Sequence, residues 1–113
     1  MGAKVLKVDS GELLKGMYQD EYFPKFLVDK VRDVLLDACR EIESRKPANY
    51  EELYEITCRA TERINDLQKE FEENESEIET AARDDIADSF CYIADNYGFP
   101  DADGEALVAT RDW

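Results

Sequence analysis

The sequence predicts an all-α fold, a small antiparallel bundle of three main helices plus short N- and C-terminal helices. Apolar residues recur at steps of three and four along most of the chain, which is the helical period. No segment alternates apolar and polar residues as a half-buried strand would. The 113 residues include only three Pro and five Gly, which fall at the predicted joints. We therefore expect a single domain over residues 1–113, with residues 1–9 flexible.

The first two helices are predicted within residues 1–48. A short helix is expected over residues 11–18, capped by Ser10. A long helix is expected over residues 24–44, beginning at Pro24, whose missing N–H is harmless in a first turn. Its apolar stripe consists of Leu27, Val31, Val34, Leu35, Ala38 and Ile42.

The third helix is predicted over residues 50–72, after an Asn49 cap to which Glu52 can reach back. Tyr54 and Cys58 lie beside its apolar stripe, where we expect them to widen the contact with the first helices or to mark a dimer face. The stripe itself consists of Leu53, Ile56, Ala60, Ile64, Leu67 and Phe71.

The helical phase breaks after Phe71, and Ser76 with Glu79 then forms the capping-box pattern of a fourth helix. That helix is expected to end at Gly98. A last short helix over residues 103–110 should bring Trp113 back onto the bundle. The fourth apolar stripe consists of Ile78, Ala82, Ile86, Phe90, Ile93 and Tyr97.

The composition excludes several classes of function. The chain has no His, so His-based acid–base catalysis, Ser-His-Asp or Cys-His nucleophiles and mixed Cys/His zinc sites are excluded. Cys39, Cys58 and Cys91 are widely spaced, which is typical of buried thiols in a reduced, cytoplasmic protein. No stretch is long and apolar enough for a signal peptide or a membrane helix. We therefore expect a cytoplasmic protein without a membrane segment.

The net charge of −14 belongs entirely to the second half of the chain. Residues 1–48 hold nine acids and nine bases, whereas residues 49–113 hold nineteen acids and five bases, which gives 5 − 19 = −14. Nine acids lie within residues 70–88 beside one base, Arg83. Asp84 and Asp88 are like-charged neighbours inside a helix, where the helix dipole no longer favours them. This charge argues against direct binding to nucleic acid or an anionic membrane.

Three interpretations of the acidic residues compete. They could keep the protein soluble, bind a divalent metal ion, or bind a basic protein, including by imitating the phosphate spacing of nucleic acid. We favour a non-enzymatic protein-interaction module, with an inhibitor-like or immunity-like role and no cofactor. Its contact surface should be an acidic helical face whose leading contributors are Glu62, Asp66, Glu70, Glu73, Asp84 and Asp88.

The metal interpretation, which is the alternative, is supported by a local resemblance. The segment Asp85-Ile86-Ala87-Asp88, followed by an apolar helix, resembles the second metal-binding helix of MazG-type all-α nucleoside triphosphate pyrophosphatases. The resemblance implies a Mg²⁺-dependent enzyme. A hairpin between the third and fourth helices would place Glu62 and Asp66 near Asp85 and Asp88, and these four carboxylates form the candidate metal ligands.

A broader resemblance runs from about residue 10 to the end of the sequence. The chain resembles a family of short, uncharacterised bacterial proteins with a domain of unknown function. This resemblance implies a bacterial cytoplasmic domain and assigns no activity. The segments that carry it are Met17-Tyr18-x-Asp20-x-Tyr22-x-Pro24, Phe26-Leu27-Val28-Asp29-Lys30-Val31, Asn65-Asp66-Leu67-Gln68-x-Glu70-Phe71, Glu77-Ile78-Glu79-Thr80 and Ala109-Thr110-Arg111-Asp112-Trp113.

Four aromatic residues, Tyr18, Tyr22, Phe23 and Phe26, cluster in the neutral half. Aromatic side chains are enriched at interface hot spots, so the cluster could be an exposed contact patch. Alternatively, the phenylalanines close the end of the bundle and the tyrosines lie at its rim. Because this half has no net charge, a homodimer could form through it without repulsion.

Overall fold

The computed structural model describes residues 8–113, which form helices and turns without any strand. The predicted all-α bundle is confirmed, with α2, α3 and α5 as its main helices. Within the described range, no helix is both long and apolar enough to cross a membrane. A 3-10 turn at Ser10–Glu12 precedes the α-helices, which are α1 (Lys15–Gln19), α2 (Lys25–Arg45), α3 (Tyr50–Asn65), α4 (Gln68–Glu73), α5 (Thr80–Asn96) and α6 (Gly104–Leu107).

The core follows the predicted apolar stripes. All six stripe residues of α2 are buried, and α2 packs mainly on α3. The fully buried rings of Phe23, Phe71 and Phe90 come from three different parts of the chain and join the same core. Since a buried Phe contributes up to about 3 kcal/mol by leaving water, these rings are major sources of stability.

The N-terminal segment differs from the predicted helix over residues 11–18. Asp9, rather than Ser10, caps the 3-10 turn, and α1 begins only after Leu14, which adopts a left-handed conformation with φ of 58°. The break lets Leu14 lie fully buried while its N–H donates to Ser89 Oγ of α5 at 3.0 Å. Val8 is buried as well. The expected flexible segment over residues 1–9 falls mostly outside the described residues.

The third predicted helix is divided into α3 and α4. The backbone tightens at Leu67, whose N–H donates to the Ile64 carbonyl three residues back at 2.9 Å. The resulting bend lets α4 place Phe71 in the core and Glu70 beside Lys30 of α2. The single helix over residues 50–72 was therefore wrong at this point, because tertiary packing outweighed the continuous helical pattern.

The predicted capping box at Ser76 is also wrong. Ser76 is buried and its hydroxyl donates to the Tyr22 carbonyl at 3.0 Å, so Glu79 caps α5 instead by accepting from the Ala81 N–H at 3.1 Å. Before it, α4 ends at a Schellman-type turn in which Glu75 has a left-handed φ of 60°. A long-range hydrogen bond therefore decided which residue begins the helix.

The last predicted helix is shorter than expected. Only Gly104–Leu107 is helical, and Asp103 caps it. We call residues 101–113 the strap, because this segment lies along α3 and its helix α6 packs on both α3 and α5. By contrast, α3 and α5 make few direct contacts with each other. Trp113 is buried on the bundle, as the sequence predicted.

Candidate functional site

The outer surface of α3 carries an acidic stripe, formed by Glu51, Glu55 and Glu62 and by Asp66 directly after the helix. All four side chains are exposed. Their steps of four, seven and four residues align them on one side of the helix, over about 22 Å at 1.5 Å per residue. The stripe therefore presents four carboxylates to solvent in one line.

The two arginines of α3 form ion pairs with acids of α2 rather than with acids of this stripe. Arg59 forms an ion pair with Glu41 of α2, and Arg63 pairs with Asp37 of α2 at 3.1 Å. Both arginines line a groove of about 390 Å³ between α2 and α3, together with Glu62 and Asp66. Two of the five bases in the acidic half are thus already paired with acids of the neutral half.

Polar side chains next to the acidic stripe hold the strap. The hydroxyl of Tyr50 accepts from the Asp101 N–H at 3.3 Å, and the hydroxyl of Tyr54 accepts from the Asp103 N–H at 3.0 Å. Farther along α3, Asn65 accepts from the Asp112 N–H at 2.8 Å. In each bond the strap donates a main-chain N–H, so the bond fixes the position of the strap and does not depend on the strap's side chains.

Two further side chains of α3 complete this series. Cys58 Sγ donates to the Ala106 carbonyl at 3.6 Å, and Thr61 Oγ1 contacts the Leu107 carbonyl at 3.4 Å. We call these five residues of α3 the ladder; they are Tyr50, Tyr54, Cys58, Thr61 and Asn65. Tyr54 and Cys58 therefore contact the strap, rather than the first helices or a second copy as the sequence suggested.

The strap adds a second row of acids beside the acidic stripe. Asp101, Asp103, Glu105 and Asp112 are all exposed. Three of them donate their own N–H to the ladder, so their positions along α3 are fixed. Glu105 pairs with Arg111 at 3.2 Å, but its side chain is 82% exposed and such a pair contributes little.

A third group of acids lies on α5, on the other side of the strap. Asp84 and Glu105 line the same hollow, which has a volume of about 150 Å³. Burial raises the pKa of the Cys91 thiol, and the neighbouring carboxylates of Asp88 and Asp103 raise it further. Asp84 and Asp88 are both exposed. The shared hollow and the shared effect on Cys91 place the α5 acids next to the strap acids.

Together these rows form what we call the acidic face. Over residues 8–113, Glu105 is the one member that lies in an ion pair. Four bases lie near it: Arg83 and Arg111 line the hollow beside Asp84, and Arg59 and Arg63 line the groove between α2 and α3 together with Glu62 and Asp66. The acidic face consists of Glu51, Glu55 and Glu62 of α3 with its C-cap Asp66, Asp101, Asp103, Glu105 and Asp112 of the strap, and Asp84 and Asp88 of α5.

The structure places four of the six predicted contact residues on this face and separates the other two. Glu62, Asp66, Asp84 and Asp88 flank the strap. Glu70 forms an ion pair with Lys30 of α2 instead. Glu73 is exposed at the last residue of α4, beyond the bend. That these residues bind a partner stays a prediction. Glu51 and Glu55 were not among the predicted contact residues, although their helical spacing places them in line with Glu62. No local pattern in the sequence indicates the strap acids.

Asp85, which the metal interpretation needed, faces α1 rather than the strap. Its carboxylate accepts from the Met17 N–H at 2.8 Å and from the Gly16 N–H. Desolvation raises the pKa of Asp85, although these two bonds oppose the shift. Asp85 therefore stabilises the start of α1, which accounts for its position inside a helix.

The candidate metal ligands Glu62, Asp66, Asp85 and Asp88 do not form a cluster. In the part of the chain that the structure describes, no three acidic or thiol side chains could together hold a metal ion. The predicted placement of α3 directly opposite α5 was wrong, because the strap lies between them and α6 packs on both.

The predicted aromatic patch is reduced to two residues. Tyr22 and Phe26 are 44% and 50% exposed, whereas Phe23 is buried. Tyr18 is half-buried, donates its hydroxyl to Asp29 at 2.6 Å and lies under the Arg32 guanidinium. Phe23 therefore closes the core, as the alternative interpretation expected, while Phe26 remains at the surface.

Comparison with protein families gives a match over most of the chain. A family described as a family of unknown function (DUF5713) matches residues 7–113. No match to the MazG-type pyrophosphatases supports the local resemblance of the Asp85 segment. Neither a curated protein nor a solved structure matches the chain significantly. The comparisons thus place the chain beside proteins of unknown function.

Proposed function

The chain belongs to the DUF5713 family, whose function is unknown, and from this premise we propose that it is a non-enzymatic protein-interaction module. It binds a basic protein through the acidic face, in an inhibitor-like or immunity-like role. Its three cysteines are free, which supports a reducing, cytoplasmic location. No cofactor takes part in this function.

The observation that carries the proposal is the concentration of carboxylates on adjoining rows of α3, the strap and α5. Like charges held side by side repel one another and lower the stability of the free protein. A partner that brings Lys and Arg side chains relieves this repulsion when it binds. Complementary charge also steers a partner toward its site and increases the association rate at low salt.

The distribution of charge favours this role over simple solubility. A coat that keeps a protein soluble can be spread over the whole surface. Here residues 1–48 have no net charge, and Arg59 and Arg63 pair with α2 instead of with the neighbouring acidic stripe. Four bases lie close to the acidic face, but within residues 8–113 only one of its ten acids, Glu105, forms an ion pair, and a binding surface explains this excess of acid.

The test removes charge from the acidic face without changing its shape. A triple variant, Glu55→Gln, Glu62→Gln and Asp66→Asn, changes the net charge from −14 to −14 + 3 = −11. Immobilised wild type should retain basic proteins from a lysate of the source organism at low salt. We expect the triple variant to lose most of this retention, and wild-type binding should weaken steeply as salt screens the charges.

A matched control removes three charges elsewhere. Glu21→Gln, Glu72→Gln and Glu77→Gln replace exposed acids outside the acidic face and give the same net charge of −11 (−14 + 3). This variant should bind like the wild type. Equal losses in both variants would show that only total charge matters, and binding that is indifferent to salt would contradict the proposal.

A further inference from the structure

The contact between the strap and the rest of the bundle has the character of a complete interface. The ladder contacts the strap backbone at five positions along α3. The strap in turn buries Leu107, Val108 and Trp113 in the core. Helices α3 and α5 make few direct contacts with each other because the strap lies between them. None of these contacts depends on which chain supplies the strap.

One tight turn connects the strap to its own bundle. Helix α5 ends at Asn96, and Gly98 has a left-handed φ of 92° that reverses the chain. The Phe99 N–H donates back to the Ala94 carbonyl at 2.8 Å and closes the turn. No atom lies within 4 Å of the position that a Cβ of Gly98 would occupy. The Phe99 ring packs edge-on against Tyr50 of α3 at 5.0 Å between centroids, so Phe99 belongs with the strap, and the reversal before it is made by the backbone at Gly98.

We propose that the strap is exchanged between two copies of the chain. Opening of the turn at Gly98 lets the strap of each copy lie between α3 and α5 of the other, which gives a symmetric dimer. The ladder bonds and buried side chains are the same in both forms, so the two forms differ mainly at the two turns. Each acidic face is then shared, with α3 and α5 from one copy and Asp101, Asp103, Glu105 and Asp112 from its partner.

A disulfide can report which copy supplies the strap. A Cβ added at Gly104 lies 3.5 Å from Cys91 Sγ, within reach of a disulfide. The reporter chain carries Gly104→Cys, with Cys58→Ser to remove the other half-buried thiol near the strap. A closed monomer forms this disulfide within one chain. An exchanged dimer forms it between chains and runs as a covalent dimer on a non-reducing denaturing gel.

The perturbation is Gly98→Ala in the reporter chain, and the reporter with Gly98 intact is the matched control. A residue with a Cβ is disfavoured in the left-handed conformation by roughly fivefold, and a dimer opens two turns, so its association constant should rise about 25-fold. After refolding at high protein concentration, we expect far more disulfide-linked dimer from the Gly98→Ala chain. Added salt should increase the dimer further, because it screens the repulsion between two chains of charge −14.

Several results would overturn the exchange. One such result is that disulfides form only within single chains at every protein concentration. Another is a dimer by light scattering whose disulfides remain within each chain, which would indicate a different interface, such as one through Tyr22 and Phe26. If the reporter does not crosslink, a strictly monomeric mass for Gly98→Ala alone also refutes the proposal. Binding of a basic partner weakens with salt whereas exchange strengthens, so the two proposals fail independently.

Discussion

Replacement of Asp85 by Ala should destabilise the protein through α1, although Asp85 belongs to α5. The substitution removes the acceptor for the N–H groups of Met17 and Gly16 in a half-buried first turn. Hydrogen bonds to a charged group contribute about 1.5–3 kcal/mol, and partial exposure places the sum for this pair at about 2–3 kcal/mol. With an unfolding entropy of about 2.1 cal/mol/K per residue, the Tm should fall by about 8–12 °C.

Asp85→Asn separates the hydrogen bonds from the charge. The amide keeps one acceptor oxygen, so this variant should lose less than half as much stability as Asp85→Ala. Because desolvation raises the pKa of Asp85 above 3.8, the folded protein binds this proton more tightly than the unfolded chain does. The stability from protonation is complete below the unfolded pKa and is lost as pH rises through the folded pKa. Wild type should therefore gain stability relative to Asp85→Asn on acidification from neutral pH.

Thermal and urea unfolding followed by far-UV circular dichroism measure both effects. Asp84→Ala is the matched control, because it removes an exposed carboxylate one residue away and should change stability by no more than about 0.5 kcal/mol. An unchanged Tm for Asp85→Ala would refute the role of the carboxylate at α1. A loss of wild-type stability relative to Asp85→Asn on acidification would refute the assigned direction of the pKa.

Four further substitutions and one chemical modification test the fold. Phe90→Ala should cost about 3–5 kcal/mol in urea unfolding because its ring is fully buried, whereas Phe26→Ala, at a half-exposed ring, should cost less than about 1 kcal/mol. Asn49→Ala should cost about 1 kcal/mol, since its Oδ1 accepts a backbone N–H at the start of α3. Glu75→Gly should raise the Tm, because glycine adopts the left-handed φ of 60° without strain. Burial raises the pKa of Cys39 to about 12, so iodoacetamide should modify Cys39 only in the unfolded chain, as peptide mass mapping would show.

The helix boundaries show where prediction from sequence succeeds. The Asn49 cap is a local signal, and the structure uses it, with Glu52 accepting from the Ala48 N–H at 2.8 Å. Ser76 offers an equally good local signal, yet its hydroxyl bonds to the Tyr22 carbonyl, which lies 54 residues away. A local pattern shows which residues can cap a helix, but tertiary contacts select the residue that does.

The candidate site divides in the same way. Its α3 stripe is visible in the spacing of Glu51, Glu55, Glu62 and Asp66, because helical geometry turns a regular spacing into a line of side chains. The role of Asp85 could not be predicted, since a carboxylate that caps a distant helix has the same sequence signature as a metal ligand. Only the position of α1 distinguishes the two roles.

The sequence by itself determined the all-α class, the apolar stripes of the main helices and the concentration of charge in the second half. These properties depend on residue types and on their periods of three and four. Only the tertiary structure placed the strap between α3 and α5 and so joined three rows of acids into one face. The reason is physical: the ladder bonds to main-chain groups, which are the same in nearly every residue, so the sequence of the strap carries no sign of where it binds.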